Sequence, residues 1–399
     1  MERLVPDHLY VHVPFCRLVC AYCDFVTVGG RGQDIPRYVA GLVAEMAARP
    51  AGGELRTVYF GGGTPSLLRA EQVATVVDAA LSHWPAASLD EVTLEANPSD
   101  RERPDWAGLR SAGVDRISLG VQSLRDPELR GLARGHTARE SRDAYAAARA
   151  AGFENVSIDL IYAIPGQSLA DWRAGLAEAV ALEPDHLSLY ALQLALAPDE
   201  WAAPPRPGAL RWRARVAAEQ DDELAAEQYR VAEAVLGEAG YQHYELSSWA
   251  RPGAQARHNA AYWARHPYVG IGAGAHSYDG AAQRSWNARD LDAYLLAVEA
   301  GHPPTEGAET LDEATLAFEA IALGLRRVAG LSRAAFAAEF GSDPVERYAA
   351  AVEGTVRNGL LEVDAEAMRL SPAGRLLASE VLVAFAPLPV RDGETVGVG

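Results

Sequence analysis

The stretch Tyr10-Val-His-Val-Pro-Phe-Cys-Arg-Leu-Val-Cys-Ala-Tyr-Cys23 contains all three cysteines of this 399-residue chain. Their spacing, C-x3-C-x2-C, places Cys16, Cys20 and Cys23 in one short loop after an apolar, strand-like run. Three thiolates can ligate three irons of a [4Fe–4S] cube and leave the fourth iron open, whereas ordinary electron-transfer clusters use four cysteines. The spacing therefore predicts a cluster with one coordination position free for a further ligand.

Three other interpretations of these cysteines remain open. A disulfide would use only two of them, and no signal-like apolar run follows the N-terminus. A structural zinc site needs four ligands, and the nearby His12 is expected to lie back from the loop because it belongs to an extended strand. Buried, unreactive thiols are the third interpretation. The motifs farther along the chain favour the cluster.

The composition argues against several classes of function. The chain has 36 basic and 54 acidic residues and a formal net charge of −18, which disfavours nucleic-acid binding because phosphate backbones are repelled. All of the basic residues are arginine, so there is neither a Walker A lysine nor a Schiff-base lysine. No apolar run reaches the roughly 18 residues of a membrane span. We therefore expect a protein that does not span a membrane. We also expect it in the cytoplasm, because cysteine thiolates stay reduced in that compartment.

Strand-like and helix-like patterns alternate through the first half of the chain. Short apolar runs predict six strands, at 9–13, 56–60, 91–96, 115–119, 155–161 and 186–192. Helical periodicity lies between them, at 36–48, 70–84, 139–151 and 169–182. Alternating strands and helices predict a parallel sheet, and six units predict an incomplete α/β barrel rather than the full eight-stranded one.

The second half of the chain changes character. A proline- and arginine-rich excursion is expected at 197–220, and its role is not explained by the sequence. From residue 311, three helical segments, two strand-like segments and a closing helix resemble a winged-helix module. The predicted domains are a barrel at 1–246, a glycine- and aromatic-rich connecting segment at 247–305, a helical domain at 306–386 and a disordered tail at 387–399.

Polar residues recur where the predicted strands end. The glycine run 61–63 follows the second strand, and glycines let a backbone approach a ligand closely. Glu95 ends the third predicted strand, Gln122 follows the fourth, and Asp159 lies within the fifth. Arg134 lies in a loop shortly after Gln122. Each residue alone is equally well explained as a helix cap or a salt-bridge partner. Their recurrence at the edge where ligands bind in such barrels predicts one shared polar ligand.

The cysteine loop together with Gly61-Gly-Gly-Thr-Pro65 resembles the radical S-adenosylmethionine (SAM) superfamily. Within it, Glu95-Ala-Asn-Pro, Ser118-Leu-Gly-Val-Gln-Ser and Asp159-Leu-Ile-Tyr-Ala-Ile-Pro-Gly-Gln are similar to segments of the oxygen-independent coproporphyrinogen III oxidase-like family. The resemblance extends from about residue 9 to about residue 385. It implies an α/β fold, a partial (β/α)6 radical SAM barrel with a C-terminal winged-helix-like helical domain.

The resemblance also implies the ligands. SAM would bind the open iron of a cluster held by Cys16, Cys20 and Cys23. An electron donor of flavodoxin or ferredoxin type would then drive cleavage of SAM to methionine and a 5′-deoxyadenosyl radical. The SAM site implied by the family consists of Tyr10, Tyr22, Gly62, Gly63, Thr64, Glu95, Gln122, Arg134, Asp159 and Ala191.

Two branches of this family compete. The porphyrinogen-oxidising branch usually carries a fourth cysteine where this chain has Phe25, and a longer arm before the cluster than the 15 residues found here. Both differences favour the heme chaperone branch, whose members bind heme and pass it to heme-accepting proteins. The alternatives are a radical SAM oxidoreductase that decarboxylates coproporphyrinogen III or acts on another porphyrin, and a structural cluster or zinc protein.

The segment His258-Asn-Ala-Ala-Tyr-Trp263 matches the H-N-x-x-Y-W signature of that branch. A neutral imidazole can ligate heme iron, so the resemblance implies His258 as an axial ligand, with Tyr262 and Trp263 against the porphyrin. Two alternatives stay open. His258 could be an ordinary hydrogen-bonded histidine that organises its loop, and His276 or a cysteine could then bind the iron.

Overall fold

The computed structural model describes residues 7–51, 53–99, 104–194 and 208–387, in which strands and helices alternate. The strands are β1 His8–Val13, β2 Phe15–Cys16, β3 Val28–Gly29, β4 Thr57–Gly62, β5 Glu91–Ala96, β6 Arg116–Gln122, β7 Asn155–Tyr162, β8 His186–Ala191, β9 Gln242–Glu245, β10 Ser248–Ala250, β11 Tyr268–Ile271, β12 His276–Tyr278, β13 Gln283–Asn287, β14 Thr305–Thr310, β15 Leu331–Ser332, β16 Leu361–Val363 and β17 Ala367–Leu370. The helices are α1 Ile35–Ala48, α2 Ala70–His83, α3 Trp106–Ser111, α4 Asp126–Gly131, α5 Ala138–Ala150, α6 Leu169–Ala181, α7 Ala209–Glu219, α8 Asp222–Glu238, α9 Arg257–Trp263, α10 Leu291–Glu299, α11 Glu313–Arg326, α12 Arg333–Phe340, α13 Pro344–Arg347, α14 Ala349–Arg357, α15 Pro372–Leu376 and α16 Ala378–Val383.

Six parallel strands form the centre of a sheet that has twelve strands within the described residues. The order is β14-β13-β12-β11-β1-β4-β5-β6-β7-β8-β10-β9, and the pairs from β1 to β8 are all parallel. Strand β11 is also parallel to β1, while antiparallel strands extend both ends of the sheet. The expected α/β fold with an incomplete six-unit barrel is thus confirmed, and the predicted strand positions are correct to within about one residue at most ends.

The two faces of the parallel sheet differ in polarity because successive strand residues point to opposite sides. Val11, Phe60 and Leu94 are side by side in register, and each is 0% exposed. The inner face instead pairs Glu95 with Ser118 across two neighbouring strands. An apolar outer layer therefore supports a polar inner surface.

Helix α1 is tied to the β11–β13 side of the sheet by the buried carboxylate of Glu45. Its oxygens accept hydrogen bonds from the Gly272 amide (2.9 Å), the Asn287 side-chain amide (2.7 Å) and the Tyr294 hydroxyl (2.9 Å). Arg49 adds an ion pair at 2.6 Å. Each partner of a buried charge lowers the cost of removing that charge from water, so these contacts belong together.

Residues Leu311–Gly399 form a second compact unit, separate from Met1–Thr310. Its described part contains helices α11 to α16 and a small antiparallel sheet with the order β15-β17-β16. Helices followed by a short β-wing and closing helices match the expected winged-helix-like module. None of the helices in the described ranges combines the length and apolarity that crossing a bilayer requires.

Three expected features differ from the structure or lie outside it. The segment 247–305, expected to connect two domains, contributes strands β10 to β13 and two helices to the first unit. Residues 208–220 of the expected excursion are largely helical as α7, and 195–207 are outside the described residues. Almost all of the expected tail, 388–399, is also outside them.

The Glu45 network gives a prediction for stability. Replacing Glu45 with alanine leaves the Gly272 amide and the Asn287 and Tyr294 side chains without their acceptor, so we expect a loss of about 3–5 kcal/mol in the free energy of unfolding. Urea unfolding of Glu45→Ala measures it. The control is the exposed Glu54→Ala, and equal destabilisation of the two variants would contradict the role of the network.

Candidate functional site

The cysteine loop follows β1 and opens into a large cavity of the first unit. Cys16 lies in the short strand β2, which pairs with β3, and the Cys23 amide donates a hydrogen bond to the Cys20 carbonyl (3.3 Å). None of the three cysteines forms a disulfide, and all three are half-buried. All three line the same cavity of about 380 Å³.

The chemistry of the donors fits an iron–sulfur cluster. Thiolates are soft ligands that suit such clusters, and the Arg134 guanidinium donates to the Cys20 sulfur at 3.2 Å, where it stabilises negative charge. Burial raises the pKa of the Cys23 thiol to about 11, so metal binding there must release a proton. In the described part of the chain, no three His, Cys, Asp or Glu side chains are arranged around a single metal ion. The thiols instead surround a shared space.

The glycine run 61–63 lies against the backbone that leads into the cysteine loop. The Gly63 amide donates to the Val13 carbonyl at 2.8 Å, and a Cβ on Gly63 would stand 2.7 Å from the Pro14 carbonyl oxygen. Gly62 has a φ of +116°, which residues with side chains rarely adopt. Glycine is required here because two backbones approach more closely than a side chain permits.

The cavity brings together twelve of the fourteen residues predicted for the site. Besides the three cysteines, these are Tyr22, Gly62, Gly63, Thr64, Glu95, Gln122, Arg134, Asp159 and Ala191. They come from the carboxyl-terminal halves of β4, β5, β6, β7 and β8, from β2 and from three loops. The carboxyl ends of parallel strands meet at one edge of a barrel, which explains how distant sequence positions line one cavity.

Glu95 is the most perturbed carboxyl group in the cavity wall. The Tyr59 hydroxyl donates to its Oε1 (2.7 Å) and the Gly62 amide donates to its Oε2 (3.1 Å). Burial raises the pKa of Glu95 to about 7, although both hydrogen bonds oppose the shift. A second acceptor with a raised pKa, again because of burial, is Asp159, which accepts from Ser118 at 2.9 Å. Two desolvated acceptors in one cavity favour a ligand that carries positive charge or several hydrogen-bond donors.

Arg134 connects the cysteine loop to the sheet. Its Nη1 donates to the Cys20 sulfur and to the Tyr22 hydroxyl, both at 3.2 Å. Its Nη2 donates to the Asn97 side chain (3.0 Å) and to the Gly120 carbonyl (2.9 Å). Both terminal nitrogens are thus engaged by the protein, so the guanidinium orders the loop. A bidentate contact of Arg134 with a ligand carboxylate would require the guanidinium to leave these partners.

Gln122 adopts an unusual backbone conformation at the end of β6. Its φ is +65°, and the pairing of β6 with β7 shifts register between Leu119 and Gln122. A bulge of this kind redirects a side chain at the end of a strand, and non-glycine residues with positive φ are concentrated at functional sites. The shift brings the Gln122 side chain into the cavity wall.

Tyr10 and His258 are not brought to this cavity. His258 is 0% exposed; its Nδ1 is hydrogen-bonded to Thr57 Oγ1 (2.7 Å) and its Nε2 to the Tyr262 hydroxyl (2.8 Å). Burial lowers the pKa of His258 well below the ordinary value, so the ring is neutral. The geometry runs against the expected axial ligation of heme by His258, because both ring nitrogens are engaged and the ring has no exposed surface. Tyr10 lines a second cavity instead.

The sequence did not predict several of the residues that line the cavity. The strand alternation could have identified those on the inner face of the sheet, whereas the loop positions carry no comparable signal. The missed polar residues are Tyr59, Asn97, Arg116, Ser118, Ser188, Tyr190, Gln193 and Asn259.

Arg213, from the segment that the sequence left unexplained, holds the cysteine loop in place. Its side chain is only 2% exposed and donates to the carbonyls of Ala21 and Cys23, both at 2.9 Å. It also forms an ion pair with Asp24 at 2.6 Å. Val216 of the same helix packs in an apolar cluster against which Tyr22 lies. Helix α7 therefore closes over the back of the loop.

Loss of the Arg213 contacts should loosen the loop. Arg213→Ala removes two charge-assisted hydrogen bonds, so we expect amide hydrogens of residues 20–24 to exchange about 30-fold faster, equivalent to about 2 kcal/mol. Hydrogen-exchange mass spectrometry of the metal-free chain measures this. Arg215→Ala, an exposed arginine of the same helix, is the control, and similar protection in both variants would contradict the assignment.

The raised pKa of Glu95 predicts a dependence of stability on pH. The folded state keeps the proton until about pH 7, against an ordinary value of 4.5, so the contribution of Glu95 to stability falls as the pH rises between these values. The fall is at most about 3 kcal/mol. Glu95→Gln should remove it, so that urea unfolding at pH 5 and pH 8 differs less in the variant. The control variant Glu54→Gln, at an exposed position, should show the same change in unfolding free energy between pH 5 and pH 8 as the wild type.

Known protein families match both units of the chain. The Radical SAM superfamily model matches residues 10–177, and the HemN C-terminal domain model matches residues 311–377. The heme chaperone HemW of Mycobacterium tuberculosis is 37% identical over 385 residues, which cover 94% of each chain. That of Bacillus subtilis is 32% identical over 389 residues, covering 94% of this chain and 98% of its own.

A solved structure shows the same fold. The radical SAM enzyme coproporphyrinogen III oxidase (HemN) of Escherichia coli superimposes with a TM-score of 0.80 over 95% of this chain and 90% of its own, at 23% identity. This likeness concerns the fold alone. The identity to the heme chaperones over nearly their full length decides between the two branches, and the chain belongs to the heme chaperone HemW family of the radical SAM superfamily.

Proposed function

We propose that this protein is a heme chaperone: it holds a [4Fe–4S] cluster on Cys16, Cys20 and Cys23, binds SAM beside it, and delivers heme to acceptor proteins. One observation carries the cofactor part of the proposal. Three thiols, with no fourth cysteine in the chain, open into the same cavity as two desolvated carboxyl groups. The heme part follows from relatives that are heme chaperones and 37% identical over 94% of the chain.

The cavity offers complementary groups for several parts of SAM. When bound, the cluster supplies an open coordination position and a source of single electrons. Glu95 and Asp159 accept hydrogen bonds from an ammonium group or from ribose hydroxyls. The glycine run 62–63 brings main-chain groups close, and Tyr22 offers an aromatic face. Thr64, Gln122 and Ala191 complete the wall around these groups.

Arg134 and Arg213 act on the protein side of this site. Arg134 places a positive charge at the Cys20 sulfur, which stabilises the thiolate needed for metal binding. Arg213 fixes the backbone of the loop from the opposite side. Together they hold the three sulfurs in position before any cofactor arrives, which lowers the ordering cost of binding it.

Porphyrinogen oxidation is the second candidate, because the fold of HemN covers 95% of the chain. The position where that branch usually has a fourth cysteine is Phe25 here, and its side chain is 68% exposed at the edge of the cavity. An exposed aromatic ring suits contact with a flat apolar ligand, not a thiol's redox chemistry. We therefore place heme delivery first.

The proposed function implies a cellular location and a set of partners. We place it in the cytoplasm, where the cysteines stay reduced, and we propose a flavodoxin- or ferredoxin-type protein as the electron donor. The partners are heme and heme-accepting proteins. A net charge of −18 supports the absence of nucleic acid among them.

Anaerobic reconstitution tests the proposal. We expect about four irons and four sulfides per chain, together with visible absorbance from sulfur-to-iron charge transfer. The Cys20→Ser variant should lose the bound iron and sulfide and this absorbance. The reconstituted protein should take up one heme and transfer it to an apo heme protein such as apomyoglobin. Decarboxylation of coproporphyrinogen III in the presence of SAM and dithionite would overturn heme delivery as the function, and bound zinc without iron would overturn the cluster.

A further inference from the structure

A second cavity of about 280 Å³ lies next to the first and shares Phe25 with it. It is lined by residues of β1, α9, β11 and β12, by the turn after the cysteine loop and by Gly274 and Arg289. Apart from Phe25, these residues do not line the large cavity. Neither the cluster nor SAM, as proposed above, uses these residues. The second cavity therefore has room for a different ligand beside the cluster.

Aromatic side chains form much of its wall. Tyr262 and Tyr268 meet edge to face with ring centroids 4.7 Å apart, and Tyr10 stacks on Tyr59 at 6.1 Å. Phe25 is 68% exposed at the rim. Such a surface suits a flat, apolar ligand, because aromatic rings bind another ring system by stacking and edge contacts. The cavity is open and smaller than a tetrapyrrole, so it accommodates one edge of such a ligand.

Two polar side chains at this cavity form no side-chain hydrogen bond or ion pair among the described residues. His276 of β12 is exposed, and its ring stacks on Trp286 at 5.8 Å without forming a hydrogen bond. Arg289 is exposed and forms neither an ion pair nor a hydrogen bond. The other histidine of the wall, His12, is committed, because Nε2 is hydrogen-bonded to the Val26 carbonyl (2.8 Å) and Nδ1 to Tyr10 (3.1 Å). Of the two histidines in this cavity wall, His276 is the one with a ring nitrogen available to a metal.

The charges around His276 favour the ligating form of its ring. Burial of part of the ring, followed by the positive charges of Arg289 and Arg284, lowers the pKa of His276, while Glu309 acts in the opposite direction. The imidazole is therefore neutral near pH 7, which is the form that binds heme iron. Arg289 remains cationic and can pair with a carboxylate of the same ligand.

We propose that the second cavity seats one edge of heme, with His276 as an axial ligand of the iron and Arg289 paired with a propionate. This inference rests on the proposed heme delivery and specifies its site. It also gives His258 a role that the buried position permits. His258 hydrogen-bonds the Tyr262 hydroxyl (2.8 Å) and is fixed by Thr57 (2.7 Å), so it positions an aromatic wall residue of the heme site.

Titration of the purified full chain with ferric heme, followed by Soret absorbance, tests this site. His276→Ala should weaken heme binding at least about tenfold and change the spectrum to that of a different axial ligation. His302→Ala, an exposed histidine away from the cavity, should bind like the wild type. Metal-free protoporphyrin IX should bind equally to the wild type and to His276→Ala, because it has no iron to ligate.

The variant Arg289→Ala tests the proposed propionate contact independently of the axial ligand. It should weaken binding of heme about 10- to 100-fold, as expected for a lost charge-assisted pair, and leave binding of heme dimethyl ester unchanged. If the wild type binds no heme, the proposed function fails. If the wild type binds heme and both variants match it in affinity and spectrum, heme delivery stands and this site is wrong. Loss of the same axial ligation in His258→Ala, with His276→Ala unaffected, would return the ligand role to His258.

Discussion

The close approach of Gly63 to the backbone at Pro14 is the contact on which the site depends. A side chain at Gly63 would meet a carbonyl oxygen at 2.7 Å, so the cysteine loop could not stay where it is. Backbone atoms cannot move aside as the end of a flexible side chain can. The position of three sulfurs relative to the barrel mouth is thus set by the absence of side chains on the neighbouring strand.

The site also depends on the central sheet. Its apolar outer face is buried, and this burial provides the stability that keeps a polar inner face intact. Arg116 is buried on the inner face, and Glu95 and Asp159 are half-buried there. Each of these charged groups is more costly to desolvate than the serines beside it. The protein tolerates these charges because hydrogen bonds from Tyr59, Ser118 and the backbone compensate for part of the cost.

The sequence predicted well what depends on local pattern. Apolar runs located the six parallel strands, and the end-of-strand rule grouped Glu95, Gln122 and Asp159 in one cavity wall. It did worse where the outcome depends on contacts between distant segments. Nothing in the local sequence distinguishes Arg213 from Arg211 and Arg215, yet Arg213 is buried and the other two are exposed. The motif at 258–263 was identified, but the burial of its histidine follows from the packing of α9 against strand residues about 200 positions earlier.

The support of the cysteine loop by Arg213 has a consequence for biosynthesis. The carbonyls at Ala21 and Cys23 are held by a side chain about 190 positions downstream. A ribosome that has completed the first barrel units has not yet synthesised that arginine, so the nascent loop is unsupported during much of translation. The thiols then depend on the reducing surroundings for protection, and a supported loop for the metal cofactor first exists after α7 has been synthesised.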